Sequence, residues 1–212
     1  DGQVLTSTGS GVAFEDAAGG GPTFKQAGTN FTNSIMVGDD STGTLSSATG
    51  NAALGIDVFA ALTSGTDNVA VGFNALPALT SGALNTGIGK DALQAVTTAL
   101  YSTALGANAG SAITTGNGNT AIGANTMTSG TTAVNNTIVG THAATSMTDG
   151  IGNTITGTVS AIALTTGDYN NTLGYGAGYA ITTGDENICI GNSAALALTT
   201  GSDNIAIGSN AL

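Results

Sequence analysis

Asn68-Val69-Ala70-Val71-Gly72 returns seventeen residues later as Asn85-Thr86-Gly87-Ile88-Gly89, and again as Asn119-Thr120-Ala121-Ile122-Gly123, Asn187-Ile188-Cys189-Ile190-Gly191 and Asn204-Ile205-Ala206-Ile207-Gly208. Around this motif the whole chain falls into phase. Glycine stands at every seventeenth position from Gly38 to Gly208, without one insertion or deletion. The residue before it is aliphatic in ten of eleven copies, Thr156 being the exception. Four residues before it stands Asn in nine copies, with Ser34 and Ser102 in the other two. A fixed period of this kind marks a solenoid or an array, in which each unit buries its apolar surface against its neighbours.

A second apolar column lies seven residues after the glycine, at Leu45, Leu62, Leu79, Val96, Ile113, Met147, Leu164, Ile181 and Leu198, with Gly130 as its one gap. Thr63, Thr80, Thr97 and their equivalents follow it, then a second Ser or Thr and usually a glycine. One coil with two short strands and two turns fits this length, since a strand rises about 3.3 Å per residue. The expected fold is therefore all-β, a β-solenoid (β-roll) of eleven 17-residue coils over residues 33–212, with the last copy truncated. At a stacking distance of about 4.8 Å the rod would be roughly 50 Å long.

Alternation within the strand sets Val69 and Val71 on one face and Asn68 and Ala70 on the other. The reading adopted from the residues alone puts the aliphatic face inward and leaves an outward alanine face, Ala53, Ala70, Ala104, Ala121 and Ala206. Such a smooth apolar face would lie at the axis of a parallel homotrimer. A competing local reading makes Asp91-Ala92-Leu93-Gln94-Ala95-Val96 a single helical turn with an Asp N-cap. Asn columns between coils are expected to form amide ladders that pin the register, and Thr hydroxyls to bond along the stack.

Residues 1–32 do not follow the period. Val4-Leu5-Thr6 and Val12-Ala13-Phe14 flank Ser7-Thr8-Gly9-Ser10-Gly11, which reads as a hairpin, and Gly19-Gly20-Gly21-Pro22 as a joint. This segment is expected to be an anchor or linker. The chain opens at Asp1 without Met and stops at Leu212 inside a repeat, so a longer protein is expected.

Composition limits the partners. Two basic residues, Lys25 and Lys90, stand against thirteen acidic ones, for a net charge of −11. That balance lacks the electrostatic footprint of nucleic-acid binding. No apolar stretch approaches the roughly 20 residues of a membrane span. Cys189 is the only cysteine, so no intrachain disulfide framework is expected. With 41% apolar residues, no Trp and few aromatics, any core is thin and built from small aliphatic side chains.

The units Asn68–Gly72, Asn119–Gly123, Asn187–Gly191 and Asn204–Gly208 resemble the head repeats of trimeric autotransporter adhesins. The 17-residue form also resembles the shaft repeats of bacteriophage tail fibres, and the adhesin head unit is a few residues shorter. The opening Asp1-Gly2-Gln3-Val4-Leu5-Thr6-Ser7-Thr8-Gly9 is similar to a segment common in phage structural proteins. The resemblance implies a homotrimer of parallel coils, attachment to a receptor, and no catalysis.

Candidate chemical groups have plain structural readings. His142 fills a column held elsewhere by Asp57, Asn74, Asp91, Asn108, Asn125 and Asn210, and no partner set for zinc or a nucleophile accompanies it. Cys189 replaces Ala70, Ala121 and Ala206 as a small packing residue. Gly174-Tyr175-Gly176-Ala177-Gly178 lacks the lysine and the strand-to-helix context of a phosphate loop. Asp67, Asp168, Asp185, Glu186 and Asp203 gather at one turn, where they read as solvated turn residues and not as a calcium repeat. The two hydroxyl residues of the Thr pair are adjacent and point apart, which disfavours a two-wide ice-binding array.

No catalytic, cofactor-binding or metal-binding residue is therefore assigned, no cofactor is expected, and the chain is not expected to be an enzyme. The expected function is a structural segment of a virion fibre, extracellular on the virion, that extends a host-attachment tip. Expected partners are other copies of itself, virion tail or other fibre proteins, and a host cell-surface glycan or protein reached through a tip outside these residues. A bacterial surface adhesin head and a self-assembling extracellular filament are the alternatives.

Overall fold

Three-residue strands spaced by 17 are too short to stand alone, and in the computed structural model they stack into one parallel sheet. The structure describes residues 4–7, 12–15, 23–28, 30–38 and 42–212. Fifteen strands run in chain order: β1 (Val4–Ser7), β2 (Val12–Glu15), β3 (Thr23–Gly28), β4 (Phe31–Gly38), β5 (Ala48–Thr49), β6 (Ala52–Gly55), β7 (Val69–Val71), β8 (Thr86–Ile88), β9 (Thr103–Leu105), β10 (Thr120–Ile122), β11 (Thr137–Val139), β12 (Thr154–Thr156), β13 (Asn171–Leu173), β14 (Ile188–Ile190) and β15 (Ile205–Ile207). From β6 to β15 each strand pairs in parallel with the next, and β4 pairs with β6 on the same terms. Every Cα partner from Ile35↔Ala52 to Ile190↔Ile207 lies seventeen residues away. The chain is an all-β parallel solenoid of about ten turns, one fewer than the eleven glycines suggest, because eleven strands enclose ten steps.

From β7 onward each coil holds one strand, not two, and no strand forms along the Leu and Thr columns among the described residues. β5 and the isolated bridges Thr49↔Thr66, Ala83↔Leu100 and Val134↔Ile151 lie just before the Asn column, in the segment expected to be a turn. The helical turn at Asp91–Val96 is also absent, and no described residue is helical. Asp91 (φ 57) and Leu93 (φ 51) are left-handed, which no right-handed helix tolerates. The corners use this conformation repeatedly: in one coil Asp67, Gly72, Asn74 and Leu76 all have positive φ. At the glycine column an added Cβ would stand inside 3.0 Å of the next glycine's backbone, from Gly38 through Gly191. Only glycine meets both demands, which is why its spacing admits no exception.

The inward face is the reverse of the one expected from hydrophobicity. Ala53, Ala70, Ala104, Ala121 and Ala206 lie in the chain's own core at 0–5% exposure, whereas the residues on either side of them turn outward. They do not form an outer face. The physical reason is the narrowness of the coil. Leu76 and Leu79, or Leu93 and Val96, project from the opposite wall and fill the interior, leaving room beneath the sheet for a methyl group or an amide. Where the sheet residue is larger, the opposite residue six positions later is smaller. Ala70 faces Leu76 and Ala121 faces Met127, while Ile138 goes with Ala144, Ile155 with Ala161, Thr172 with Gly178 and Cys189 with Ala195. One coil, Ala104 with Gly110, is small on both sides; a Cβ at Gly110 would lie 3.0 Å from Leu93 Cδ2 and from Ile113 Cδ1, so these neighbours lean into the gap.

Parity places the Asn column inside with the alanines, and there its polar atoms are paired. Asn68 Nδ2 donates to Asn51 Oδ1 at 3.0 Å and to the Gly82 carbonyl at 2.9 Å, while its backbone N–H donates to Asn51 Oδ1 at 3.1 Å. The rung recurs at Asn85, Asn136, Asn153, Asn170, Asn187 and Asn204. A buried amide left unpaired would cost about 1–3 kcal/mol, so the ladder specifies both register and coil length. A second ladder runs along the Thr column, where Thr80 Oγ1 donates to the Thr97 carbonyl at 3.1 Å and Thr165 Oγ1 to that of Thr182 at 3.0 Å.

At the N-terminal end the pattern changes. β1 pairs antiparallel with β2, Val4↔Glu15 to Ser7↔Val12, as the hairpin reading expects; its loop, residues 8–11, and the joint at 19–22 lie outside the described residues. β3 pairs antiparallel with β4 and forms the end of the main sheet.

Candidate assembly surface

Because Asn68 and Ala70 point inward, Val69 and Val71 point away from the core, and so do their equivalents in every coil. The column just before the glycine presents Leu54, Ile88, Leu105, Leu173, Ile190 and Ile207, each between 36% and 65% exposed, with Val71, Ile122 and Val139 half-buried among them. Two residues upstream runs a parallel column: Val69, then Thr86, Thr103, Thr120, Thr137, Thr154 and Asn171, and finally Ile188 and Ile205. The columns lie about 7 Å apart on a flat sheet, with a repeat of about 4.8 Å along the rod. Ile56 and Phe73, just past the glycine corner, widen the apolar strip towards the N-terminal end.

One charged group interrupts this border. Lys90 forms an ion pair with Asp91, lies 6.0 Å from the Phe73 ring centroid, and is the only cation in the solenoid. The hydrogen bond from Lys90, and next that from Asn74, hold the Asp91 carboxyl below its usual range. Gln94 Nε2 also donates to Asp91 at 3.3 Å.

The other singled-out groups are absorbed by the stack. His142 is exposed at a left-handed corner (φ 56), and its backbone N–H donates to the Ala124 carbonyl at 3.1 Å. Cys189 is a free, buried thiol whose pKa desolvation raises from 9.0 to about 11. The backbone N–H groups of Gly174, Gly176 and Gly178 donate to Thr156, Thr158 and Ala194 carbonyls at 2.8–3.1 Å, so they do not form an anion cradle. Asp168 Oδ1 accepts from the Ile151 N–H at 2.7 Å and Asp185 Oδ1 from that of Asp168 at 2.8 Å; these carboxylates staple one coil to the next. Among the described residues no group of three or more His, Cys, Asp or Glu is placed to hold a metal ion, and no helix is long and apolar enough to cross a membrane. Of the Thr pair, the first hydroxyl bonds along the stack, while the second residue, as at Thr98, Thr115 and Thr183, is exposed.

No family model, curated protein or solved structure matches the chain. Its own geometry therefore carries the functional argument. The outward strip is the surface that the hydrophobicity of its side chains assigned to the core. The paired volumes at positions six apart, such as Ala121 with Met127 against Ile138 with Ala144, were the sequence signal that would have placed it.

Proposed function

We propose that this chain is a shaft segment of a virion fibre, a parallel homotrimer whose rods meet along the aliphatic strip, and that it holds a host-attachment tip away from the particle. The observation that carries the reading is that strip: a column of Leu, Ile and Val side chains on the outer face of the sheet, interrupted at Thr156 and at least 36% exposed at Leu54, Ile88, Leu105, Leu173, Ile190 and Ile207, while much smaller alanines are buried. An apolar strip of this length is uncommon on a monomer and marks an interface. Three copies about an axis close the surface symmetrically and leave no strip for further addition. The Asn and Thr ladders suit a load-bearing element, since each coil is bonded to the next at several points of its perimeter. The 17-residue period, similar to the shaft repeats of phage tail fibres, and the opening Asp1–Gly9 segment, similar to one common in phage structural proteins, favour the virion over a bacterial surface adhesin. Its partners are other fibre or tail proteins, with the host glycan or protein contacted by the tip.

The test is the mass of the chain in solution and of the triple variant Ile88→Glu, Leu105→Glu, Ile122→Glu. The parent is expected at three times the chain mass. The variant is expected as monomers that keep their β-sheet signal, because these side chains point away from the chain's own core. A monomeric parent, or a triple variant that stays trimeric, refutes the interface.

A further inference from the structure

Along the strip the outward residues of successive strands are nearly interchangeable, except at one place. From β7 to β11 each strand sets an aliphatic residue just before its glycine, and β14 and β15 set Ile at both outward positions. On β12 both outward residues are polar, Thr154 exposed and Thr156 half-buried, and on the adjacent β13 Asn171 is exposed beside Thr154. The chain leaves these groups free to bond elsewhere. Asn171 Nδ2 makes only a 3.5 Å contact to the Tyr169 carbonyl, and the hydroxyls of Thr154 and Thr156 have no partner among the described residues. Thr148 and Thr165, in the hydroxyl column of the neighbouring wall, instead donate to carbonyls at 3.3 and 3.0 Å.

We propose that Thr154, Thr156 and Asn171 are the register contact between copies of this chain, a polar layer in which each rod meets the same three residues of its neighbours. This contact presupposes the trimer above and aligns it. Coils repeat every seventeen residues at about 4.8 Å, so rods held by aliphatic columns alone could slide past one another by whole coils. About a threefold axis identical residues lie at one height. Only in that alignment do these hydroxyls and amides, which both donate and accept, face their own kind. Between two rods slipped by one coil, Thr156 of one meets Leu173, Thr156 of the other meets Val139, and one Asn171 meets Ile188. Each polar group buried without a partner shifts the equilibrium by about tenfold or more. A buried polar residue fixes the register of coiled coils in the same way, at a cost in stability. Neither outward column carries a charged residue, so the strip is where copies of a chain with net charge −11 can approach without repulsion, which favours a second copy as the occupant.

The experiment uses the full chain with Cys189→Ala, which removes its one native thiol. Leu54→Cys and Ile88→Cys are made in separate chains, two coils apart in the exposed aliphatic column and away from the polar layer. The two chains are refolded together and oxidised, and the joined peptides are identified by mass spectrometry. In register, like joins like, because the mixed pair lies about 10 Å apart along the rod, beyond the roughly 7 Å that a disulfide spans. The parent is expected to form like pairs at least about tenfold more often than mixed pairs. In the variant Thr154→Ile, Thr156→Ile, Asn171→Ile, whose changed side chains point away from the core, the trimer mass and the β-sheet signal are expected to persist and the melting temperature to rise, while mixed pairs become as frequent as like pairs. Adding Ile122→Thr and Thr137→Asn, which rebuild the layer on β10 and β11 beside Thr120, is expected to restore the preference for like pairs. A trimeric parent that joins mixed pairs as readily as like ones, a triple variant that keeps the parental preference, or a rebuilt layer that restores nothing overturns the register contact and leaves the trimer standing. A parent of single-chain mass overturns both.

Discussion

Replacing Ser102 by Asn should make the rod more stable, because Ser102 interrupts the buried amide ladder. Its N–H reaches Asn85 Oδ1 at 3.0 Å, but its hydroxyl makes only 3.4 Å contacts, to the Gly116 carbonyl and from the Asn119 N–H. A complete rung is tighter. Asn136 Nδ2 donates to Asn119 Oδ1 at 3.0 Å and to the Gly150 carbonyl at 2.6 Å, and Asn136 Oδ1 accepts from Asn153 N–H at 2.9 Å and Nδ2 at 3.0 Å. The substitution adds two side-chain bonds, to Asn85 and from Asn119, and shortens two others. At about 0.5–1.5 kcal/mol net for each of the two new bonds, less about 1 kcal/mol for ordering the longer side chain, the gain is about 0–2 kcal/mol, centred on about 1 kcal/mol. The reciprocal change Asn136→Ser should lose a similar amount. Unfolding of a repeat array need not be two-state, so the direct assay is hydrogen exchange at residues 102 and 119, expected to slow by about 5-fold in Ser102→Asn, with about 30-fold as the upper bound. Urea melts of both variants check the sign. Unchanged or faster exchange in Ser102→Asn would refute the claim that the ladder, and not the aliphatic packing, holds successive coils in register.

The paired volumes predict coupling: Ala121→Ile should overpack against Met127 and cost about 1–3 kcal/mol, and Met127→Ala should cost about 2–5 kcal/mol. The double variant reproduces the Ile138 and Ala144 pairing, so in a urea double-mutant cycle it should cost at least about 1 kcal/mol less than the sum; strict additivity would count against the packing account. Cys189 should resist thiol reagents until the chain unfolds. Since its folded pKa of about 11 exceeds the ordinary 9.0, the stability it contributes is intact below pH 9.0 and lost as pH rises towards 11. That loss is about 2 kcal/mol, and Cys189→Ala, which copies Ala121 and Ala206, should flatten the curve between pH 8 and 10.5; equal slopes would refute it.

How far the sequence determined this protein depends on which symmetry of the pattern was broken. The period, the phase, the strict glycine and the Asn rungs were legible from one line of residues, because each follows from a local demand repeated every seventeen positions: a left-handed corner, a close approach, a buried amide. The column of Cys189, shared with Ala70, Ala121 and Ala206, was legible for the same reason, but its place in the core was not. The parity of the strand was not. Val69-Ala70-Val71 satisfies alternation equally well with either face inward, and hydrophobicity favours burying the valines. Closure of the coil decided otherwise. It brings Leu76 and Leu79 across beneath the sheet, leaves space there for Ala70 and Asn68 alone, and sends the aliphatic columns outward into the strip that the proposed assembly uses. Likewise, the Thr-rich segment reads as a strand by propensity but becomes a run of turns, since four left-handed corners per coil leave no straight second side. Only the tertiary structure fixes inside and outside here, because the width of the interior is a property of the closed coil and of no single segment.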